Sequence, residues 1–421
     1  MSTIHIHVGQ CGNQLSIPLW NNFLKWENGC QNALFTSLDG KHRSIHIDSE
    51  SKVLSTIPKS FKLRDKNVIV GKRGRGTNFA LGYHGLQSHG DDHLLRDSME
   101  SIRKEAERCD MYSGAVVYNS LSGGTGSGVG TRITELLRDY YPCSHILSCV
   151  VAPCASGESP LQHYNALLAL HHLQIYSDAM ILLNNDYYLS LLNRKQEDST
   201  STFQHHVSFR DVNEIMACNL CGVFLPTNAL SVYKDTYKST GQEPWELIRS
   251  ITPIPSSKFI FLTQYASAKL SWEAIISRLL STFPRYKQSG SPNSCLAAAA
   301  VGRGDQDNTF ASTMQASLEK KIRKVANFVD WNPYPLDYWS AKNNYIGARN
   351  SSQLTLAANT SGVQDYLEHV RYQSQLKLES GAYVHWYHRY GVSQELFLES
   401  IESLQRVIDS YTELTKSSFY S

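Results

Sequence analysis

The chain has no excess of either charge: 40 basic residues face 38 acidic ones, a formal net charge of +2 over 421 residues. It therefore has no chain-wide field to draw it onto nucleic acid or an anionic membrane, and neither partner is expected. Long hydrophobic runs are also missing, and no apolar stretch reaches the length of a membrane span. Met1-Ser2-Thr3-Ile4-His5-Ile6-His7-Val8 passes straight into an alternating strand pattern without a basic leader or cleavage site, so a cytoplasmic protein is expected. The nine cysteines are scattered, as free thiols of a reducing compartment would be. The one close pair, Cys218-x-x-Cys221, lacks the second pair or the histidines that a metal or redox centre would need. The apolar spacing of 211–221 is helical and makes these core cysteines. The 16 histidines include no His-Glu-x-x-His, and His205-His206 falls in a polar stretch, so no metal site is assigned to histidine. There is no fixed-period repeat and no sustained heptad.

What is present is a globular composition, 41% hydrophobic and 19% charged, in a chain long enough for two or three subdomains. Short apolar runs alternate with amphipathic ones. Strands are expected at 4–8, 44–48, 115–118, 145–152 and 179–183, and helices at 18–26, 91–108, 133–140 and 164–176. That alternation predicts an α/β fold with a doubly wound parallel sheet. The polar stretch 193–206 reads as a loop, and a helix starts near Asp211. Beyond Leu225-Pro226 the composition shifts: 234–242 and 286–294 are loop-like and frame strands at 259–263 and 296–301. From Val363 two long amphipathic helices, 363–378 and 394–413, surround Ala382–Tyr387. The division expected is 1–226 with a core helix, 227–360 as a second α/β unit, and 361–421 as a helical region.

The sharpest motif is Ser122-Gly123-Gly124-Thr125-Gly126-Ser127-Gly128, between a strand and a helix. Glycines there let the backbone turn tightly and present N–H groups at a helix N-terminus, where the dipole also favours an anion. A flexible linker would not be bracketed by regular elements. Counting excludes two common phosphate loops. No start position yields Gly-x-Gly-x-x-Gly, and no Gly-Lys-Ser/Thr follows, so neither a nicotinamide-binding Rossmann unit nor a Walker loop is present.

Gly123-Gly124-Thr125-Gly126-Ser127-Gly128 after one strand, with Gly9-Gln10-Cys11-Gly12-Asn13-Gln14 after the first, resembles the tubulin family. Asp48-Ser49-Glu50, the segment 74–80, His163-Tyr164-Asn165-Ala166, the segment 209–213 and the segment 382–387 extend the resemblance over nearly the whole chain. It is weakest between Thr227 and Thr360. Ser177-Asp178-Ala179, Asn185-Asp186, Val207-Ser208-Phe209 and Gly222-Val223-Phe224 resemble the delta branch.

The resemblance implies a GTP-binding fold with a nucleotide held between stacked subunits. Ser120, Gly124, Thr125 and Gly126 would then hold phosphates, with Gln10 and Cys11 approaching from the opposite loop. Glu50 would act through Mg²⁺, whose hard octahedral shell suits carboxylate, water and phosphate oxygens. Phe209 would stack on a purine, with Asn185 and Asn213 pairing its hydrogen-bonding edge. Read from the residues alone, these three are equally a core aromatic and two helix caps. Gln162 stands where alpha and beta chains place a ribose-binding glutamate. Glu246 matches the spacing of the water-activating acid that alpha chains present to a neighbouring subunit. Arg75 and Thr77 depart from the family's alanine and asparagine, and no glutamate run closes the chain for motors to grip. The expected cofactors are GTP or GDP and Mg²⁺, and the expected partners are other tubulin subunits or microtubule ends. The expected role is a delta-type cytoskeletal GTPase of centrioles, basal bodies or cilia. A non-hydrolysing GTP-binding adaptor that docks on other tubulins is the alternative.

Overall fold

The computed structural model describes residues 2–30, 34–85, 93–157, 159–197, 207–227, 244–305, 309–313, 319–346 and 351–416. Ten strands form one continuous sheet: β1 (Ser2–Val8), β2 (Ser44–Asp48), β3 (Val68–Val70), β4 (Tyr112–Ser120), β5 (His145–Ala152), β6 (Ala179–Asn184), β7 (Phe259–Ser267), β8 (Cys295–Arg303), β9 (Leu336–Ala341) and β10 (Ser352–Thr360). Their order is β3-β2-β1-β4-β5-β6-β7-β10-β8-β9. The first six are parallel and run 3-2-1-4-5-6, so the chain reverses its winding between β1 and β4. A crevice outside the carboxyl ends of the strands opens at such a reversal. Met180 and Ile181 of β6 pair in parallel with Phe259 and Ile260 of β7, and this joint carries the sheet into the second half, where β10 lies antiparallel between β7 and β8.

Alternation in β1 sorts its side chains to two faces. Ile4, Ile6 and Val8 pack with Ile45, Ile47, Val117, Ile133 and Leu137, beneath the helices α2 (His93–Glu107) and α3 (Gly130–Tyr140). His5 and His7 point the other way, toward α1 (Gly9–Cys30). There His7 stacks on Tyr118 at 4.5 Å and on His46 at 4.9 Å, and His5 donates to or accepts from the Tyr118 hydroxyl at 2.9 Å. The Trp20 indole N–H donates to His7 Nε2 at 3.0 Å, which requires that nitrogen to be unprotonated. Burial holds His5 and His46 down to about 3 and His7 well below its ordinary value.

Helix α1 begins directly at Gly9, not at Pro18 as its proline suggests, and Pro18 lies inside it. The proline ring lacks an N–H, so the Gln14 carbonyl loses its intrahelical donor there, a cost accepted because Leu15, Leu19, Trp20 and Phe23 are fully buried around it. Helix α4 (Gln162–Tyr176) follows β5, α5 (Asn185–Glu197) follows β6, and α6 (Phe209–Phe224) crosses to pack along α1. Residues 193–197, read as loop from their polarity, continue α5; residues 198–206, with His205 and His206, and 228–243 lie outside the described residues. Cys218 and Cys221 lie on α6 outside any disulfide, Cys221 fully buried. Past its end, the buried Arg303 guanidinium of β8 donates to the carbonyls of Gly222 (3.1 Å), Pro226 (3.1 Å) and Leu225. Cations at helix C-termini satisfy orphan carbonyls, and this one ties the second half of the sheet to the core helix.

Helices α7 (Pro244–Ile251) and α8 (Trp272–Thr282) flank the second half. The closing helices α9 (Val363–Glu379) and α10 (Gln394–Thr415) pack on α4, burying Leu367, Val370, Leu404, Val407 and Tyr411 against Leu167, Leu170 and Leu173. No helix among the described residues is long and apolar enough to cross a membrane.

Candidate functional site

A cavity of about 650 Å³ opens at the carboxyl ends of the parallel strands. Every strand from β1 to β6 sends its following loop into the wall: Gln10, Cys11 and Gln14 after β1; Asp48, Ser49 and Glu50 at β2; Arg75, Gly76 and Thr77 after β3; Ser120 and Ser122–Gly126 at β4; Pro153, Cys154, Ser159 and Gln162 after β5; and Asn185 after β6. Phe209 and Asn213, in the first turns of α6, close it. All nine residues expected to touch nucleotide, with Glu50, therefore face one space. Glu246 does not.

The glycine run forms a wide turn, Gly124–Val129, that leads into α3. The first N–H groups of such a turn have no partner within it and face the cavity. Its glycines are required by neighbouring backbone as well as by any ligand. A Cβ on Gly126 would lie 2.9 Å from the backbone N and O of Ser120, and one on Gly9, at φ +74°, would lie 2.9 Å from the Gly126 N. The loops after β1 and β4 thus touch backbone to backbone. Gly123 differs, since an added Cβ there meets nothing within 4 Å.

Side chains then lock the loops in place. Ser49 and Thr125 share a hydrogen bond at 2.6 Å, and Asn119 donates to the Gly126 carbonyl at 3.0 Å. Ser122 N–H donates to the Ser120 hydroxyl at 3.1 Å. The fully buried Asn165 of α4 is the hub. Its amide donates to the carbonyls of Thr77 (2.8 Å) and Ser122 (2.7 Å), and its Oδ1 accepts from Phe79 N–H (2.9 Å) and the Tyr387 hydroxyl (2.7 Å). One side chain thereby joins the β3 loop, the glycine loop and the C-terminal helical region.

At the far end of the cavity the two bland readings fail on geometry. Asn184, not Asn185, caps α5, accepting from Asp186 N–H at 2.8 Å and Tyr187 N–H at 3.3 Å. Ser208 caps α6 in a capping box with Asp211, so Asn213 is not a cap. Phe209 is 51% exposed and belongs to no core. An exposed aromatic face between two amides that serve no cap is suited to a flat heteroaromatic ring. Between the two ends, the buried Gln162 donates its amide to Cys154 O at 3.4 Å, while its Oε1 has no hydrogen-bond partner among the described residues. A hydroxyl donor such as a sugar would satisfy it.

Burial, with the Glu50 charge adding to it, pushes the Asp48 carboxyl up to about 6. Burial pushes the Cys11 thiol up to about 12, so it stays neutral and is no nucleophile. Among the described residues no three His, Cys, Asp or Glu side chains gather to hold a metal ion by themselves. Two carboxylates at the phosphate end fit Mg²⁺, which is usually held through one or two acids, waters and phosphate oxygens rather than a protein cage.

Glu246 is half-buried in the first turn of α7. Its neighbour Trp245 stacks on His145, the first residue of β5, with centroids 5.4 Å apart and planes 13° from parallel. The cavity meets β5 at its other end, through Val151 and Pro153. Eight strand residues separate the two, roughly 25 Å at about 3.3 Å per residue. Within one chain Glu246 and the cavity occupy opposite ends of the sheet.

Neither Asn165 nor Asn119 has a role legible from its own neighbours in sequence, because the carbonyls they hold belong to other segments of the site. The chain is similar to known proteins over its whole length. Residues 2–193 match the Tubulin/FtsZ family, GTPase domain. A tubulin delta chain of Macaca fascicularis is 27% identical over 98% of this chain and 100% of that protein. The Homo sapiens tubulin delta chain is 26% identical with the same coverage. A tubulin beta chain of Coprinopsis cinerea is 24% identical over 97% of this chain and 94% of its own length.

Proposed function

Because the chain carries a GTPase domain of the Tubulin/FtsZ family over residues 2–193, we propose that it binds GTP or GDP in the strand-end cavity and completes hydrolysis only when stacked on another tubulin subunit. The observation that carries the reading is the convergence of glycine amides, paired carboxylates and an exposed aromatic with two spare amides on one space. The Gly124, Thr125 and Gly126 amides with the Ser120 hydroxyl cradle phosphates, and Gln10 and Cys11 line the opposite wall. Gln162 Oε1 accepts from a ribose hydroxyl. Phe209 stacks on the base while Asn185 and Asn213 read its edge, which rejects adenine because mismatched polar groups would be left unpaired. Glu50, with Asp48 behind it, faces Mg²⁺, which when bound neutralises the phosphate oxygens.

The separation of Glu246 from the cavity supports hydrolysis between subunits. A carboxylate helps an attacking water only within hydrogen-bond reach, and one at the opposite end of the sheet reaches a nucleotide only in the next copy of a head-to-tail stack. The finer reading, a delta-type role at centrioles, basal bodies or cilia, rests on the similarity to delta chains.

The test is turnover with and without a polymerising tubulin partner. Partner-stimulated GTP hydrolysis is expected, and Glu246→Ala should abolish the stimulation with GTP affinity changed less than about twofold, since the residue lies outside the chain's own cavity. Stimulation that persists at the original rate in the variant would show that Glu246 is not the acid that completes the neighbouring site.

A further inference from the structure

The nucleotide cavity has two cationic side chains in its wall, Lys52 and Arg75, and they differ in kind. Lys52 is solvent-exposed, whereas Arg75 is buried, 7% exposed. A buried guanidinium is always charged, keeps its position and acts through a low local dielectric, so its field on a nearby phosphate is screened far less than that of a surface lysine.

The backbone that carries Arg75 is held under strain. Gly76 and Thr77 follow it at φ +54° and +53°. Two left-handed residues in succession are uncommon, and a β-branched residue there is costly. The surroundings over-determine the turn. Asn165 grips the Thr77 carbonyl, Asn78 N–H donates to the Arg75 carbonyl at 3.0 Å, and the Asn78 amide donates to the Trp386 carbonyl at 3.2 Å. The same backbone abuts the glycine loop, because a Cβ on Gly124 would overlap the Arg75 carbonyl and lie 2.7 Å from Asn78 N. The backbone of Arg75 is thereby fixed beside the glycine loop, and its side chain lines the same cavity.

The topology says which end of a nucleotide it meets. The base-reading residues Asn185, Phe209 and Asn213 follow β6 and open α6, at one edge of the parallel strands. Arg75 follows β3, at the other edge. A nucleotide laid across the reversal between β1 and β4 therefore carries its phosphate tail toward Arg75. Beyond Arg75 a second cavity, about 300 Å³, is lined among the described residues by Lys72, Arg73, His93 and Asp97.

We propose that Arg75 is a specificity-determining residue that makes the site favour a nucleoside triphosphate over the diphosphate, and that it does so without requiring a bound divalent cation. GTP and GDP differ by one terminal phosphoryl group and its charge, so a fixed cation at the tail end stabilises the triphosphate selectively. The inference rests on the nucleotide reading above.

The test uses the full chain stripped of nucleotide, with equilibrium binding of GTP and GDP measured in Mg²⁺ and in EDTA. Wild type should hold GTP at least about tenfold more tightly than GDP in both, about 1.4 kcal/mol. Arg75→Ala should bring the ratio in EDTA toward one while GDP affinity moves less than about threefold, and Arg75→Lys should retain part of the preference. A wild-type ratio near one in EDTA would overturn the proposal, and this measurement needs no variant to fold. So would an Arg75→Ala chain that loses GTP and GDP equally, which marks a structural prop, or one with an unchanged ratio. Failure of wild type to bind either nucleotide would overturn the nucleotide reading itself, and this inference with it.

Discussion

The two ends of the parallel sheet are built on different principles. At the carboxyl ends, the segments after β1, β3 and β4 meet with backbone atoms in contact, Gly9, Gly124 and Gly126 leave no room for a side chain, and one buried asparagine joins three segments. At the amino ends, α7 rests on the sheet through Leu247, Ile248 and Ile251, the Trp245–His145 stack and hydrogen bonds with Asp337 and Asn359, and carries Glu246 in its first turn. The first end is pre-organised for a ligand this chain itself holds, and the cost of that organisation is borne in its core. The second end carries Glu246 on a helix packed against the sheet.

That contrast is open to test, and the largest effect should come from Asn165. Asn165→Ala removes four hydrogen bonds and leaves the Thr77 and Ser122 carbonyls and the Phe79 N–H without them. A loss of about 4 kcal/mol is expected by denaturant unfolding, with nucleotide affinity falling as the loops separate. A loss under about 1 kcal/mol would mean that the loops hold one another without the hub.

Gly126→Val should cost about 3 kcal/mol by overpacking against Ser120, and the melting temperature should stop responding to GTP. Gly123→Ala sharpens the result. Its Cβ meets no protein atom, so stability without nucleotide should stay within about 0.5 kcal/mol while GTP binding weakens. Equal damage from both variants would show that packing alone explains the glycines.

The histidine stack under the cavity predicts a pH effect of about 2 kcal/mol between pH 7 and pH 6. His5, His7 and His46 are held far below their unfolded value of about 6.5. The unfolded chain therefore binds more protons than the native one below that value. The stability these neutral rings contribute is complete above pH 6.5 and is lost as pH falls toward 3. Asp48, raised to about 6, has the opposite sign and offsets a small part of the loss. Urea midpoints across pH 7.5 to 5 check this, and a flat profile would mean that the stack opens to water. Smallest in free energy is the base-reading end. Asn213→Ala should lower the preference for GTP over ATP by about tenfold with little change in unfolding, and unchanged selectivity would assign base recognition elsewhere.

Much of this was legible beforehand because it is periodic or local. Alternation in β1 and the short apolar runs of β5 and β6 marked strands, and the glycine motif marked its turn by composition. The boundaries that were misjudged have local causes. Pro18 suggested a helix start because its ring suits a first turn, yet burial of Leu15, Leu19 and Trp20 carries α1 through it. Polarity made 193–197 look like loop, although these residues continue α5 and Asn193 and Arg194 are exposed on it. For Phe209, Asn185 and Asn213 the residues could not choose between core, caps and site. Only the capping by Asn184 and Ser208 released the two amides.

The sequence by itself determined the α/β alternation and the phosphate-type loop, because each is written in spacing and residue type within a few positions; the set of residues that would line one cavity was implied by the resemblance to a known family. Only the tertiary structure decided that Asn165 holds the site together, that Arg75 is a buried cation in the cavity wall, and that Glu246 lies at the far end of the sheet. Those facts depend on which loops the 3-2-1-4-5-6 order brings side by side. Distance along a chain carries no record of distance across a sheet.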